Sequence, residues 1–100
     1  MGAEKVRIRL FGVIAEAAGR KEDEVEILPG TTVHGLLQRL AKTYGESFRS
    51  EVLDENNTGG LRDDVMLTVN GAIIDHKDIN DMIVTSDANV ALFSVFPGGG

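Results

Sequence analysis

The stretch NVALFSVFPGGG, residues 89–100, decides the architecture. Its first eight residues are apolar on both faces, with Ala91, Phe93 and Val95 on one side and Val90, Leu92 and Phe96, interrupted only by Ser94, on the other. A strand with one wet face alternates apolar with polar, so a run without that alternation reads as a central strand. Pro97 and the three glycines after it then end the strand. The rest of the chain has to supply neighbours for this strand and a layer to cover it.

The first neighbour is KVRIRLF, residues 5–11, where Val6, Ile8 and Leu10 share one face and Lys5, Arg7 and Arg9 the other. That is the pattern of a half-buried strand. The Ala-rich GVIAEAAGR that follows predicts a short helix over about residues 13–18, closed by Gly19. DEVEILPG, residues 23–30, sets Val25 and Ile27 on one face and stops at Pro29-Gly30, a second strand ending in a turn. In TTVHGLLQRLAKTYG, residues 31–45, Val33, Leu36, Leu37, Leu40, Ala41 and Tyr44 form one helical stripe. Thr31 or Thr32 can cap this long helix, and Gly45 can end it in a left-handed conformation. The polar, Asn- and Gly-rich run at about residues 54–62 reads as a mobile loop. VMLTV and AII flank Asn70-Gly71, the strongest short hairpin signal. The order β, short helix, β, long helix, β, β, β predicts an α+β fold, the ubiquitin-like β-grasp: a mixed four- or five-stranded sheet with the long helix across one face and the final strand beside the first. Residues 1–96 form that domain and residues 97–100 a flexible glycine tail.

Composition excludes several kinds of function. The 100 residues, 42% of them apolar, suit one domain with one core. There is no cysteine, which removes disulfides, thiolate metal sites and a nucleophilic thiol. Sixteen acidic and ten basic side chains give a net charge of −6, which disfavours nucleic acid and anionic membranes. No apolar run approaches the roughly 20 residues of a membrane span, and the start MGAEKVRIRL lacks a signal-peptide core, so a cytoplasmic location is expected. Met1-Gly2 is not a myristoylation signal, because Val6 stands where that motif needs Ser or Thr. His34 and His76 are far apart and lack a third ligand, so both read as surface histidines and no metal site is expected. The acidic runs KEDEVE, DDV and DHKDIND read as solvated turns, and no phosphate-binding loop or nucleophile elbow is present.

The segments VRIRLFGVIAEAAGRKEDEVEI, TTVHGLLQRL, VMLTVNGAII and VALFSVFPGGG together resemble the small subunit of molybdopterin synthase, the MoaD family, which also contains the small archaeal modifier proteins. The resemblance spans essentially the whole chain. The Ala-rich LFGVIAEAAGR after the first strand favours this family over the shorter thiamine sulfur carriers. The third glycine departs from the family, whose members place other small residues before a final Gly-Gly pair.

What the resemblance implies is a sulfur carrier rather than a catalyst. An E1-like adenylating enzyme of the MoeB or ThiF type would adenylate the carboxylate of Gly100, and a sulfur donor would displace AMP to leave a thiocarboxylate. The carrier would then insert its tail into the large subunit of molybdopterin synthase and donate sulfur to molybdopterin, with no cofactor of its own. A free carboxylate is ionised at neutral pH and a poor electrophile, which is why activation is needed. Gly98 and Gly99 tether Gly100 without side chains that would block a narrow channel, and Pro97 aims the exit. A Gly-Gly ending alone means little, since many domains fray into glycine; its place directly after the last strand gives it weight. If Ala91, Phe93 and Val95 face the core, Leu92 and Phe96, joined by Phe11, form an outer apolar patch for docking a partner. The reversed register, or coverage of that face by a loop or the short helix, is the alternative. Arg7 and Arg9 beside the patch either pair with a partner's acidic groups or are simply solvated. Two other functions stay open: a ubiquitin-like modifier joined through Gly100 to lysines of target proteins, and an interaction module with an inert tail.

Overall fold

The computed structural model describes residues 4–57 and 60–95. Strand β1 (Glu4–Leu10) is followed by helix α1 (Gly12–Ala18), β2 (Glu22–Ile27), α2 (Val33–Tyr44), α3 (Glu46–Val52), β3 (Val65–Val69), the two-residue β4 (Ala72–Ile73) and β5 (Asn89–Ser94). The sheet order is β2-β1-β5-β3-β4. β5 is central: it runs parallel to β1 and antiparallel to β3, while β1–β2 and β3–β4 are antiparallel pairs. This is the mixed sheet of a β-grasp fold, with the helices on one face.

Local chemistry accounts for most boundaries. Val6, Ile8 and Leu10 are buried and the alternate residues of β1 are exposed, as the sequence alternation requires. Gly19 closes α1 at φ 79° and ψ 17°, in the left-handed region. Thr32 caps α2 by accepting the Gly35 N–H at 3.1 Å, while the Thr31 hydroxyl donates to Leu28 O at 2.6 Å. Gly45 does end α2, but at φ 98° and ψ −172°, an extended mirror conformation instead of the left-handed one expected, and it leads directly into α3. Asn70 and Gly71 both take positive φ, 53° and 87°, as a two-residue hairpin turn demands.

Three features depart from the sequence reading. Helix α3 has no signal in the sequence pattern; it buries Phe48 and Val52 against the end of the core. The described residues of the run read as a mobile loop, 54–57 and 60–62, are tied down around it, since Asp54 N–H donates to Gly60 O at 2.9 Å, Leu53 bridges to Leu61, and Leu61 is fully buried. The acidic stretch after the hairpin is more than a solvated turn: Ile79 and Val84 lie in the core, and Val84 N–H donates to Thr31 O at 2.8 Å.

The core lies between the sheet and the helices. Val90 and Leu92 of β5 are fully buried there, opposite Ile8 and Leu10 on one side and Val69 and Leu67 on the other. Residues directly opposite in a sheet project to the same face, so β5 takes its parity from β1. The β1 face with Val6, Ile8 and Leu10 is the dry one, and the other carries Lys5, Arg7 and Arg9. Leu92 therefore points into the core and is no docking residue; the reversed register is the observed one.

Candidate functional site

With Leu92 inside, the outer face of β5 belongs to Ala91 and Phe93, and Val95 follows just past the strand's end. Phe93 is half-buried and Val95 is 41% exposed. Phe11, at the end of β1, is 37% exposed and stacks on Phe93 with ring centroids 4.5 Å apart and planes 8° from parallel. Continuing the parallel register past Leu10↔Leu92 sets Phe11 beside Phe93. The Arg9 guanidinium lies 5.8 Å from the Phe11 ring centroid, a cation–π arrangement. On the opposite edge Met66 is the cross-strand neighbour of Phe93, and Ile73, 66% exposed, sits across from Thr68. These side chains make a contiguous apolar patch over β5 and β3, at the end of the sheet where the chain leaves β5.

Of the expected docking residues, Phe11 is thus in the patch and Leu92 is not. Phe96, Pro97, Gly98, Gly99 and Gly100 lie outside the described residues. Phe93 and Val95 replace Leu92. The signal that could have found them is the β1 charge pattern: Arg7 and Arg9 mark the wet face, and a parallel neighbour in register must share it.

The other half of the outer face is charged. The β1–β2 register sets Lys5 opposite Glu26, Arg7 opposite Glu24 and Arg9 opposite Glu22. Opposite charges facing across strands are favourable, so Arg7 and Arg9 have acidic counterparts within the chain. The outer face is therefore divided between a balanced charge ladder and an apolar patch.

A groove of about 490 Å³ runs from the Phe11 side of the patch between the end of β1, α1 and the start of β2, lined by Arg9, Phe11, Ala15 and Lys21 among others. A second groove, of about 360 Å³, has Met66, Ile73, His76 and Val95 in its walls. His76 is half-buried there, and its Nε2 lies 3.0 Å from Val65 O, to which it donates. It secures the start of β3 and is not the plain surface histidine expected. His34, also half-buried, packs at the first turn of α2 near Gly60. Among the described residues, no group of three His, Cys, Asp or Glu side chains could hold a metal ion, and no helix is long and apolar enough to cross a membrane.

The perturbed ionisable groups stand at the far side of the sheet. The Tyr44 hydroxyl donates to Asp23 Oδ2 at 2.7 Å, and Arg20 Nη1 lies 3.3 Å from the same oxygen. Burial alone would raise the Asp23 carboxyl, but the Tyr44 hydroxyl, the Glu24 N–H and the Arg20 charge outweigh it and hold it below its ordinary value. Burial, with the Asp23 hydrogen bond and charge, pushes the Tyr44 hydroxyl above its own. This cluster ties α2 to β2.

Comparison with known proteins accords with this architecture. The model of the ThiS family matches residues 8–99. Solved structures with the same fold include SAMP1 from Haloferax volcanii, at 24% identity and a TM-score of 0.78 over 95% of this chain and 99% of that one. A putative molybdopterin converting factor, subunit 1, from Pyrococcus furiosus is 26% identical, with a TM-score of 0.71 over 93% of this chain and 99% of that one. Urm1 from Trypanosoma brucei is 18% identical, with a TM-score of 0.74 over 99% of both chains. A search of curated proteins finds no match to the sequence.

Proposed function

The chain belongs to the ThiS family of small ubiquitin-like sulfur carriers and modifiers, and from that premise we propose that it carries sulfur on its C-terminal glycine for molybdopterin biosynthesis. An E1-like enzyme binds ATP; a carboxylate oxygen of Gly100 attacks the α-phosphorus and pyrophosphate leaves. A sulfur nucleophile then attacks the acyl carbon, AMP leaves, and a thiocarboxylate remains. The large subunit of a molybdopterin synthase takes the sulfur from there, and hydrolysis returns the carboxylate. The chain supplies no catalytic group. Gly100 is the reacting end, Gly98 and Gly99 its tether, and Pro97 and Phe96 the segment that joins it to the sheet.

The observation that carries this reading is the apolar patch of Phe11, Phe93 and Val95 at the end of the central strand, beside the point where the chain departs toward those glycines. A protein partner that covers the patch has the tail within reach of its own cleft, since aromatic side chains in such patches anchor protein interfaces. The likeness to the Pyrococcus furiosus converting factor subunit supports molybdopterin as the destination. The likeness to SAMP1 of Haloferax volcanii, and to the small archaeal modifier protein 1 of Methanosarcina acetivorans, favours a second reading, in which the same acyl-adenylate is passed to lysines of target proteins.

Intact mass after incubation with an E1-like enzyme, ATP and sulfide tests the carrier chemistry. The expected gain is one sulfur for one oxygen, lost on deletion of Gly99-Gly100. No gain with an enzyme active on another carrier overturns the reading. Isopeptide conjugates in cell extracts, without transfer to a synthase large subunit, would move the modifier reading to the front.

A further inference from the structure

Because β3 and β5 are antiparallel, the start of β3 lies against the end of β5. Val65 is opposite Ser94, and the Val95 N–H, next along the chain, donates to Asp64 O at 2.8 Å. The Asp64 carboxylate is gripped by Arg62, with Nε to Oδ1 at 3.0 Å and Nη2 to Oδ2 at 3.1 Å. The remaining guanidinium nitrogen, Nη1, donates to Ser50 O of α3 at 3.0 Å. The Arg62 backbone is also fixed, its N–H donating to Val52 O at 2.9 Å. From the other side His76 Nε2 donates to Val65 O at 3.0 Å. Asp64, whose carbonyl receives the Val95 N–H, is therefore held through its carboxylate by a side chain with all three guanidinium nitrogens in use, and the carbonyl of the next residue, Val65, is held by His76.

Stability alone is a weak reason for this arrangement. The Arg62 side chain is 41% exposed, and ion pairs at such positions contribute about 0–1 kcal/mol. A bidentate fork does fix geometry, because a planar guanidinium meets a carboxylate in one orientation. We propose that Arg62, acting through Asp64, is a positioning residue that sets the direction in which the chain leaves β5 and so aligns Gly100 with the adenylating cleft. The five residues beyond Val95 extend at most about 18 Å, at about 3.3–3.6 Å per residue. Displacing the start of that segment shifts the region its end can reach, and misplacements of about 1 Å can cost large factors in rate.

This inference rests on the carrier reading, and two measurements separate the failure of one from that of the other. The first is thiocarboxylation of the full chain and its Arg62→Lys and Asp64→Asn variants, once the parent has gained sulfur; a parent that gains none is a failure of the carrier reading. For both variants kcat falls about tenfold while KM stays within about twofold, because the Phe11–Phe93 patch is intact and lysine cannot reproduce the fork. Thr32→Ala, which removes the α2 cap, serves as a destabilised control and keeps the parent kcat. The second needs no enzyme. The chain lacks cysteine, so a spin label on Gly100→Cys reports which amides the tail visits, and Arg62→Lys redistributes that broadening. Unchanged kcat, a rise in KM alone, an equal loss in the control, or an unchanged broadening profile overturns the proposal.

Discussion

The face assignment of β5 makes Leu92→Ala and Phe93→Ala, neighbours in sequence, opposite in effect. Leu92 is fully buried and has Leu10 and Leu67 as its sheet neighbours. Removing a buried leucine side chain costs about 2–5 kcal/mol in lost transfer energy and residual cavity. In a domain of this size 1 kcal/mol is worth about 4–8 °C, so Tm falls by at least about 8 °C. Phe93 is half-buried on the outer face, and its loss removes the 4.5 Å stack with Phe11. That stack contributes about 0.5–1.5 kcal/mol beyond area, so Tm falls by less than for Leu92→Ala. In docking the order inverts. Truncating an aromatic anchor costs about 2 kcal/mol or more, which raises KM for the E1-like enzyme about 30-fold at about 1.4 kcal/mol per tenfold; Leu92→Ala, assayed well below its Tm, leaves KM within about threefold. Differential scanning calorimetry and steady-state thiocarboxylation read the two quantities separately. A small Tm shift with a large KM effect for Leu92→Ala, and the reverse for Phe93→Ala, would refute the assignment of faces.

Two further outcomes follow from the scaffold. The Asp23 carboxyl is held below its ordinary value in the folded chain, so its contribution is complete above about pH 4, the unfolded value, and is lost as pH falls through the folded one; in urea titrations Asp23→Asn is less stable than the parent by about 1–2 kcal/mol at pH 7, and the gap narrows in acid. A methyl group at Gly45 would meet open space, but the residue sits at φ 98°, so Gly45→Ala costs about 1–3 kcal/mol through backbone strain alone, and an equal urea midpoint for the two chains would contradict that conformation.

How much of the site was legible depended on whether the signal was local. Phe11 stands at the end of a strand whose own alternation shows its wet face, and it is in the patch. Leu92 was misplaced because the strand around it is apolar on both sides and its alternation carries no sign. The Arg62–Asp64 fork lies in a run read as loop and turn, where no periodicity points to it; it takes shape only when α3, β3 and the end of β5 meet.

The sequence by itself determined the α+β class, the stripe of α2, the hairpin at Asn70-Gly71, and the central place of residues 89–94, since each follows from the spacing of apolar and turn residues within one short segment. Only the tertiary structure decided the parity of β5, the existence of α3 and the burial of Ile79 and Val84. Helix α3 carries two buried residues, Phe48 and Val52, too few to define a stripe, and Ile79 is a lone apolar residue among acids. Such residues are buried because a distant element leaves space for them, and β5 turns Leu92 inward because its register with β1 requires Val90 and Leu92 to share the dry face of Ile8 and Leu10. Burial and register are relations between segments far apart in the chain, and no window of local sequence contains both partners.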